Sequence, residues 1–382
     1  MARRVLLTVG ADTARDSRSG PRRDYAVLAD RVGAQIIDRA SVQRSKRGRL
    51  IRRLAGIGPA QAWLAFQRRR EADVIVTDGE HTGIPLALLL RLVRSRVGHV
   101  TIGHRLTSKK KRLFLRTLRA HGRMDRIAVH SRHQQEFAVQ RLGIPTERLS
   151  VIPYQVDTAF WAPSHTSEER LVVSAGLEYR DYPTLIGAVE GLNASVVIGA
   201  ASNWSRHSFA TARLPANVRL DSFDYPALRE LYARAALVVV PLVDVDNQAG
   251  VTTILEAMAM GKAVIVTQSR GQTDVVEDRR SRERGVPRPR PISLARTLAE
   301  DSGVDLEPNG FYVPPGDAAS LRRAIDYLLD HPEERARLGS AGRRLVEALF
   351  TVDDFASRMA ELVASVGPKD DAKAAMPRLQ YG

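Results

Sequence analysis

The sequence predicts an α/β protein made of two doubly wound, Rossmann-like domains. Short runs rich in Val, Ile and Leu alternate with stretches of helical periodicity, six of them before residue 160 and six after residue 168. Strands of a parallel sheet are continuously apolar because helices cover both of its faces. A length of 382 residues also exceeds what one hydrophobic core ordinarily uses. We therefore expect two parallel sheets, with ligands in the cleft between them, at the carboxyl ends of the strands.

The candidate strands divide the chain into its parts. We expect a first domain over residues 1–160, a second over 168–350, a helix over 351–367 that crosses back to the first domain, and a disordered tail over 368–382. A Pro- and Arg-rich insertion at 279–300 interrupts the second domain and reads as a mobile surface loop. In chain order the strands are RVLLTVG, AQIID, DVIVTDG, VGHVTIGH, RIAVHS and LSVIPY, then LVVSAG, ASVVIGA, VRLDSF, LVVVPL, AVIVTQ and GFYVPP.

Composition excludes several classes of protein. The chain has no cysteine, so disulfide frameworks, thiol nucleophiles and zinc–thiolate sites are ruled out. Runs without a polar residue, such as 84–90, are far shorter than the roughly 20 residues that a membrane-spanning helix needs. The apolar stretch at the N-terminus is too brief for a signal peptide. We therefore expect a cytoplasmic protein.

Charge is unevenly distributed along the chain. Residues 1–150 hold 32 Lys and Arg against 12 Asp and Glu, a net charge of +20, whereas the remainder carries −5. Such a field favours anionic partners. The segments 41–70 and 105–123 are basic and amphipathic, which is typical of helices at an anionic membrane surface; alternatively, their apolar residues face the domain core. No nucleic-acid-binding motif accompanies the charge, so nucleic acid is not expected as a partner.

The segment DNQAGVTTILEAMAMGK, residues 246–262, follows the candidate strand LVVVPL and reads as the start of a helix. A helix that begins at the carboxyl end of a parallel strand directs its free N–H groups into the cleft, where they suit a diphosphate. Gly250 permits close approach, and Thr252 can add a hydroxyl. Glu256, one to two turns along, can accept hydrogen bonds from a ribose diol, or it can pair with a neighbouring Arg.

Four segments together resemble one enzyme family. The segment from residue 248 is similar to a signature in which a Glu, seven residues and a second Glu precede Ala-Met-Ala-x-Gly, and residues 126–163, 170–189 and 309–356 are similar to other parts of the same family. On these segments the chain resembles the retaining glycosyltransferases of family 4 over nearly its whole length. The resemblance implies the GT-B fold, two Rossmann-like domains facing each other across a cleft, and transfer of a sugar from a nucleotide-diphosphate sugar to an acceptor hydroxyl.

The resemblance also implies roles for individual residues. Glu256 aligns with the second family Glu, which binds the ribose, and Arg180 takes the place of a basic residue on the phosphates. His104 ends the fourth strand, where the family often has a histidine near the transferred sugar; His104, Arg180 and Gln248 are thus the candidate catalytic residues. The implied donor-binding residues are Arg180, Gln248, Ala249, Gly250, Val251, Thr252 and Glu256.

The sequence departs from the family pattern at two places. The first family Glu, which touches the donor sugar, is here Gln248, which keeps hydrogen bonding but loses the charge. Either the enzyme depends less on that charge, or it uses an unusual donor, or it does not transfer sugar. The first βα loop, 10–24, lacks the usual paired glycines. Gly20 remains, with Arg18, Arg22 and Arg23 nearby, and these arginines could meet the donor phosphates or an anionic acceptor.

The expected function is a metal-independent retaining glycosyltransferase without a cofactor, with a lipid or membrane-presented acceptor and with peripheral attachment to the inner face of the membrane. A soluble small-molecule acceptor and a sugar-nucleotide-binding protein without transfer activity are the alternatives. His81, in DGEHTG, is a further candidate on the acceptor side. His130 and His133 have a spacing that could suit a metal, but no third ligand accompanies them in the sequence, so we expect no metal site.

Overall fold

The structure is a computed structural model that describes residues 3–13, 19–108, 113–200, 214–278 and 293–367. Arg18, most of the predicted insertion and the predicted tail lie outside the described residues.

The first domain is a six-stranded, wholly parallel sheet flanked by helices. Its strands lie in the order β2-β1-β3-β4-β5-β6, so the direction of winding reverses between β1 and β3. Between β4 and β5 the described residues form a π-helical turn, Leu113–Thr117, and a 3-10 turn, Ala120–Arg123. The elements are β1 (Val5–Thr8), α1 (Asp24–Val32), β2 (Ala34–Ile37), α2 (Arg39–Arg44), α3 (Lys46–Ala55), α4 (Ile57–Gln67), β3 (Val74–Thr77), α5 (Glu80–Leu92), β4 (Gly98–Gly103), β5 (Arg126–Val129), α6 (Arg132–Leu142) and β6 (Leu149–Val151).

The second domain repeats this architecture. Its sheet is parallel, in the order β12-β11-β10-β7-β8-β9, and winding reverses between β7 and β10. All twelve predicted strands are present, so the predicted α/β class with two doubly wound sheets is confirmed. The elements are β7 (Leu171–Ala175), α7 (Tyr182–Val189), β8 (Ser195–Gly199), β9 (Val218–Asp221), α8 (Tyr225–Arg234), β10 (Leu237–Val240), α9 (Val251–Ala259), β11 (Ala263–Thr267), α10 (Leu294–Ser302), β12 (Gly310–Val313), α11 (Ala318–Asp330), α12 (Pro332–Leu349) and α13 (Val352–Ala364).

The last helix, α13, packs on the first domain. It begins at a capping box in which Thr351 and Asp354 each bond the other's backbone N–H. Phe355 and Met359 are buried in the same core cluster as the β1 residues. Arg3 donates to the carbonyl oxygen of Val363 over 2.8 Å. The chain therefore crosses between the domains twice, once in the linker and once before α13.

The winding reversals place the cleft. In open α/β sheets, ligands bind outside the carboxyl ends of the strands at the point where winding reverses. In the first domain that edge carries the loops after β1 and β3, and in the second it carries the loops after β7 and β10.

Candidate active site between the domains

The loop after β10 delivers a helix N-terminus to the cleft. Gly250 caps α9 in the left-handed region, at φ 78°, and no side chain caps the helix. A Cβ at this position would lie 2.7 Å from Cγ1 of Val240, so only glycine fits without displacement. The first-turn N–H groups and the positive end of the helix dipole are thus directed toward an anion. Thr252 is exposed in this turn, whereas Ala249 and Val251 are buried.

Arg180, in the loop after β7, lies against this helix start. Its guanidinium donates to the carbonyl oxygen of Ala175 over 2.9 Å and to the hydroxyl of Thr253 over 3.1 Å. The side chain of Asp181 instead caps α7, so among the described residues Arg180 forms no ion pair with it. The guanidinium and the helix N-terminus form one positively charged surface, which suits a diphosphate.

Glu256 faces a cavity of about 180 Å³ between the domains. Its side chain is half-buried. Burial raises the pKa of Glu256 to about 8, although the positive charge of Arg180 opposes the rise. The cavity is lined by Pro21, Arg22, Arg23 and Asp24 of the first domain, by Gln155, Val156, Asp157 and Trp161 of the linker, by Tyr225, Thr252 and Glu256 of the second domain and by Val352 of α13.

Two arginines of the loop after β1 have different surroundings. Arg22 forms ion pairs of 2.9 Å with Asp157 of the linker and with Asp353 of α13. These ion pairs indicate that Arg22 joins parts of the chain rather than binding a phosphate. We call the group formed by Arg22, Asp157 and Asp353 the clasp. Arg23 reaches across the cavity, where it donates to the hydroxyl of Tyr225 over 3.1 Å and lies over its ring. Of the two, Arg23 is the better placed to meet a ligand.

His104 lies next to acidic side chains on the first-domain side of the cleft. Its Nε2 lies 3.0 Å from Oδ1 of Asp78, and its backbone N–H donates to Glu80 over 3.1 Å. Burial alone would lower the pKa of His104, but the hydrogen bond to Asp78 and the charges of Asp78, Glu80 and Asp24 raise it. Burial also raises the pKa of Asp24 to about 6, and the charge of Asp78 adds to the rise. His104 is thereby held in a fixed orientation and biased toward its protonated form.

Two histidines and a glycine singled out in the sequence, His81, His130 and Gly20, have the following surroundings. His81 is exposed at the start of α5, and its imidazole contacts the turn at Gly79. Gly20 precedes Pro21, which lines the cavity. His130 is buried, and its Nδ1 lies 2.9 Å from the carbonyl oxygen of Ile152. Over the residues that the structure describes, no group of three His, Asp or Glu side chains is arranged to hold a metal ion.

Asp78, Asp24 and Asp274 are among the acidic residues of the site that were not predicted from the sequence. Asp78 follows β3 directly, so the rule that places ligands at strand carboxyl ends could have found it. Asp24 begins α1, more than ten residues beyond β1, and only folding brings it to the cavity. Asp274 follows β11 and accepts a hydrogen bond of 3.0 Å from the amide of Gln248. No local pattern marks that partnership.

The fold and the site together define a GT-B glycosyltransferase. A family model for glycosyl transferases group 1 matches residues 161–345, and one for glycosyltransferase family 4 matches residues 14–160. The two models cover residues 14–345 in succession. The chain belongs to the group 1 glycosyltransferases. No curated protein sequence matches it.

Solved structures of this fold align over almost the whole chain. HepE of Anabaena in complex with UDP and glucose is 16% identical with a TM-score of 0.68, covering 95% of this chain and 100% of that one. Sucrose-phosphate synthase of Thermosynechococcus elongatus is 17% identical with a TM-score of 0.68, covering 95% and 98%. A glycosyltransferase of Rickettsia africae is 13% identical with a TM-score of 0.65, covering 95% and 98%. At these identities the likeness is one of fold.

Proposed function

We propose that this glycosyltransferase acts with retention of configuration and without a metal or cofactor. The second domain binds a nucleotide-diphosphate sugar, and an acceptor hydroxyl approaches from the first domain. One observation carries the proposal: Glu256 and Thr252, beside the uncapped helix start, share a single cavity with Arg23 and Asp24 of the opposite domain. HepE, of the same fold, has been seen with UDP-glucose, which supports a sugar nucleotide as the donor.

The proposed chemistry needs no protein nucleophile. The bond between C1 of the sugar and the diphosphate oxygen breaks, and the acceptor oxygen bonds C1 from the same face. The acceptor proton passes to the departing phosphate. Arg180 and the N–H groups after Gly250 stabilise the charge that grows on that phosphate. Enclosure between the domains keeps water from the sugar cation.

Thermal stabilisation by UDP, GDP, ADP and dTDP tests the donor site. A ligand that binds only the folded state raises the melting temperature by mass action. We expect one nucleotide to stabilise the wild type and to stabilise Glu256→Ala much less. Glu333→Ala, on the exposed start of α12, is the matched control and should respond like the wild type. If no nucleotide stabilises the wild type, the pocket is not a working donor site.

We further propose that the acceptor is a lipid, or is presented at an anionic membrane, on the cytoplasmic side. Leu50 and Leu54 of α3 are 58% and 78% exposed among basic residues, so this helix does not bury its apolar face in the core. Leu92 and Leu113, elsewhere on the first domain, are 81% and 59% exposed. Apolar side chains ringed by cations suit the headgroup region of an anionic bilayer. No helix within the described ranges is long and apolar enough to cross a membrane.

Liposome co-sedimentation tests this surface. The wild type should bind vesicles containing phosphatidylserine at low salt, and the double variant Leu50→Ser/Leu54→Ser should bind more weakly. Leu177→Ser removes an equally exposed leucine from the second domain and should bind like the wild type. Absence of wild-type binding at low salt and high anionic lipid content would contradict the proposal. In that case a soluble small molecule becomes the expected acceptor.

Gln248 supports a second candidate function, a sugar-nucleotide-binding protein without transfer activity. Because the resemblance places a glutamate at this position, loss of the charge is compatible with loss of catalysis. Release of nucleoside diphosphate from a sugar nucleotide separates the two functions. An active enzyme releases it on addition of acceptor, whereas a binding protein does not.

A further inference from the structure

Two loops of the second domain form one wall beside the helix start. The N–H of Gly271, after β11, donates to the carbonyl oxygen of Val245 over 2.8 Å. The amide of Gln272 donates to the carbonyl oxygen of Ala249 over 3.1 Å. The loop after β11 is thus fixed against the loop that leads into Gly250. Side chains on this wall lie next to the proposed diphosphate site.

Gln248 and Asp274 form a buried pair within this wall. Nε2 of Gln248 lies 3.0 Å from Oδ2 of Asp274, and the two residues are 8% and 4% exposed. An ionised carboxylate can only accept, so Nε2 of Gln248 must face Asp274 and Oε1 must face away. Within the described part of the chain, Oε1 has no hydrogen-bond partner. A buried carbonyl without a partner is costly, which indicates that a ligand supplies the donor.

A second glutamine shows the same pattern. Gln272 is completely buried, its Nε2 is held by Ala249, and its Oε1 also lacks a partner among the described residues. The side-chain carbonyl oxygens of Gln248 and Gln272, both near the start of α9, are therefore able to accept hydrogen bonds from a ligand. Sugar hydroxyls are donors of this kind, and a diphosphate bound at Gly250 would carry its sugar into this neighbourhood.

Asp274 remains largely ionised at neutral pH. Burial raises the pKa of Asp274 to about 6, whereas hydrogen bonds from Leu294 and Gln248 and the positive charge of Arg132 lower it. Arg132 begins α6 of the first domain and donates to the hydroxyl of Thr297 in the second. The pair thus carries a negative charge where the two domains meet.

We infer that Gln248 and Asp274 act as one unit on the sugar of the donor. Asp274 is a positioning residue: it orients the amide of Gln248 so that Oε1 accepts a hydroxyl of the sugar. Asp274, hydrogen-bonded to Gln248, also carries the negative charge that the family resemblance assigns to position 248. The inference rests on the proposed donor site. It goes beyond that site because it assigns to Asp274 the negative charge that the family has at position 248.

If Gln248 and Asp274 act together, substitutions at the two positions should affect each other, whereas substitutions of a glutamine that acts alone should not depend on Asp274. Gln248→Glu places two carboxylates at about the same 3.0 Å separation, and like charges that close cannot both remain ionised. Asp274→Asn removes both the charge and the constraint on amide orientation. The double variant Gln248→Glu/Asp274→Asn exchanges amide and carboxylate, and it restores one hydrogen bond in the opposite direction.

Calorimetric titration of each variant with a nucleoside diphosphate and with the matching sugar nucleotide tests the inference. The probes are UDP, GDP, ADP and dTDP, each compared with its glucose ester, and UDP-N-acetylglucosamine and GDP-mannose are added. The ratio of the two dissociation constants isolates the contribution of the sugar. Each single variant should weaken binding of the sugar nucleotide about tenfold or more. Binding of the nucleoside diphosphate should stay within about twofold of the wild type.

The double variant decides the outcome. It should recover sugar-nucleotide affinity to within about threefold of the wild type, and its melting temperature should exceed that of Gln248→Glu. Gln43→Glu, an amide-to-acid change on the exposed surface, should leave both affinities unchanged. The inference would be overturned if the single variants bound the sugar nucleotide like the wild type. It would also be overturned if the loss of affinity in the double variant equalled the sum of the losses in the two single variants. If the wild type binds no nucleotide at all, the proposed function fails, and this inference fails with it.

Discussion

Arg180 has structural contacts that bear on its proposed role in the chemistry. Two backbone carbonyl oxygens, those of Ala175 and Glu178, hold its guanidinium in place. The third contact, with Thr253, ties it to the first turn of α9. A cation held this firmly would lose little freedom on binding a phosphate, so its position suits the charge that develops in the proposed reaction.

Replacement of Arg180 by Ala should lower kcat at saturating donor by about 10²-fold, because one preorganised charge on the leaving phosphate is lost. Arg180→Lys should retain more activity, although its single ammonium cannot reproduce the planar fork. Steady-state kinetics measures both. Arg170→Ala, which removes an exposed ion pair with Asp330, is the control. A wild-type kcat in Arg180→Ala would assign the residue a purely structural role.

Glu256 should make stability depend on pH. Its folded pKa is about 8 and its ordinary value is 4.5, so between these values the unfolded chain has released a proton that the folded chain keeps. The free energy of unfolding therefore falls as pH rises through this window. Glu256→Gln removes the effect and should gain stability relative to the wild type at pH 8, but not at pH 4.

Thermal unfolding of both proteins at pH 4, 6 and 8 checks this expectation. Glu190→Gln, at an exposed position, should follow the wild type throughout. A constant difference between the wild type and Glu256→Gln at all three values would show that the carboxyl titrates normally.

At the scale of the element, the start of α9 defines the proposed donor site. The helix has no side-chain cap, and its N-cap residue has a left-handed conformation that β-branched or bulky residues rarely adopt. Local sequence is sufficient to predict this start, because glycine followed by strong helix formers is a local signal. The exposure of Leu50 and Leu54 on α3 is different, since periodicity predicts an apolar face but not what covers it.

Gly250→Ala should destabilise the fold by about 1–3 kcal/mol, because the new methyl meets Val240 and the backbone is strained at positive φ. It should also weaken nucleotide binding, since the helix N-terminus must shift. Gly187→Ala lies inside α7, where a Cβ has room, and should be neutral or slightly stabilising. Urea unfolding and nucleotide titration measure both effects. Equal stability of the two variants would contradict the close approach seen at Gly250.

At the scale of the whole molecule, a clasp holds the crossing segments together. Asp157 in the linker is 4% exposed in its side chain and accepts from both the backbone and the guanidinium of Arg22. Arg22 also binds Asp353, at the start of the helix that returns to the first domain. The loop after β1, the linker and α13 are thereby joined next to the cavity.

Asp157→Ala should lower stability by about 1–3 kcal/mol, because a buried acceptor is removed from several donors. Asp353→Ala removes a carboxylate that is 50% exposed, and it should cost less than about 1 kcal/mol. Urea unfolding of the two variants gives the comparison. If Asp353→Ala proved the more harmful, the clasp would depend on α13 rather than on the linker.

The amino-acid sequence by itself determined the architecture and the position of the helix start at which we propose that the donor binds. Runs such as LVVVPL and the signal at Gly250 are local, and strand burial and helix initiation depend mainly on neighbouring residues. Only the tertiary structure decided the side-chain partnerships: Arg22 with Asp157, His104 with Asp78, and Gln248 with Asp274. Each joins residues 26 or more positions apart, whose meeting depends on how the loops that follow the strands, and the linker, pack together rather than on any periodicity within one segment.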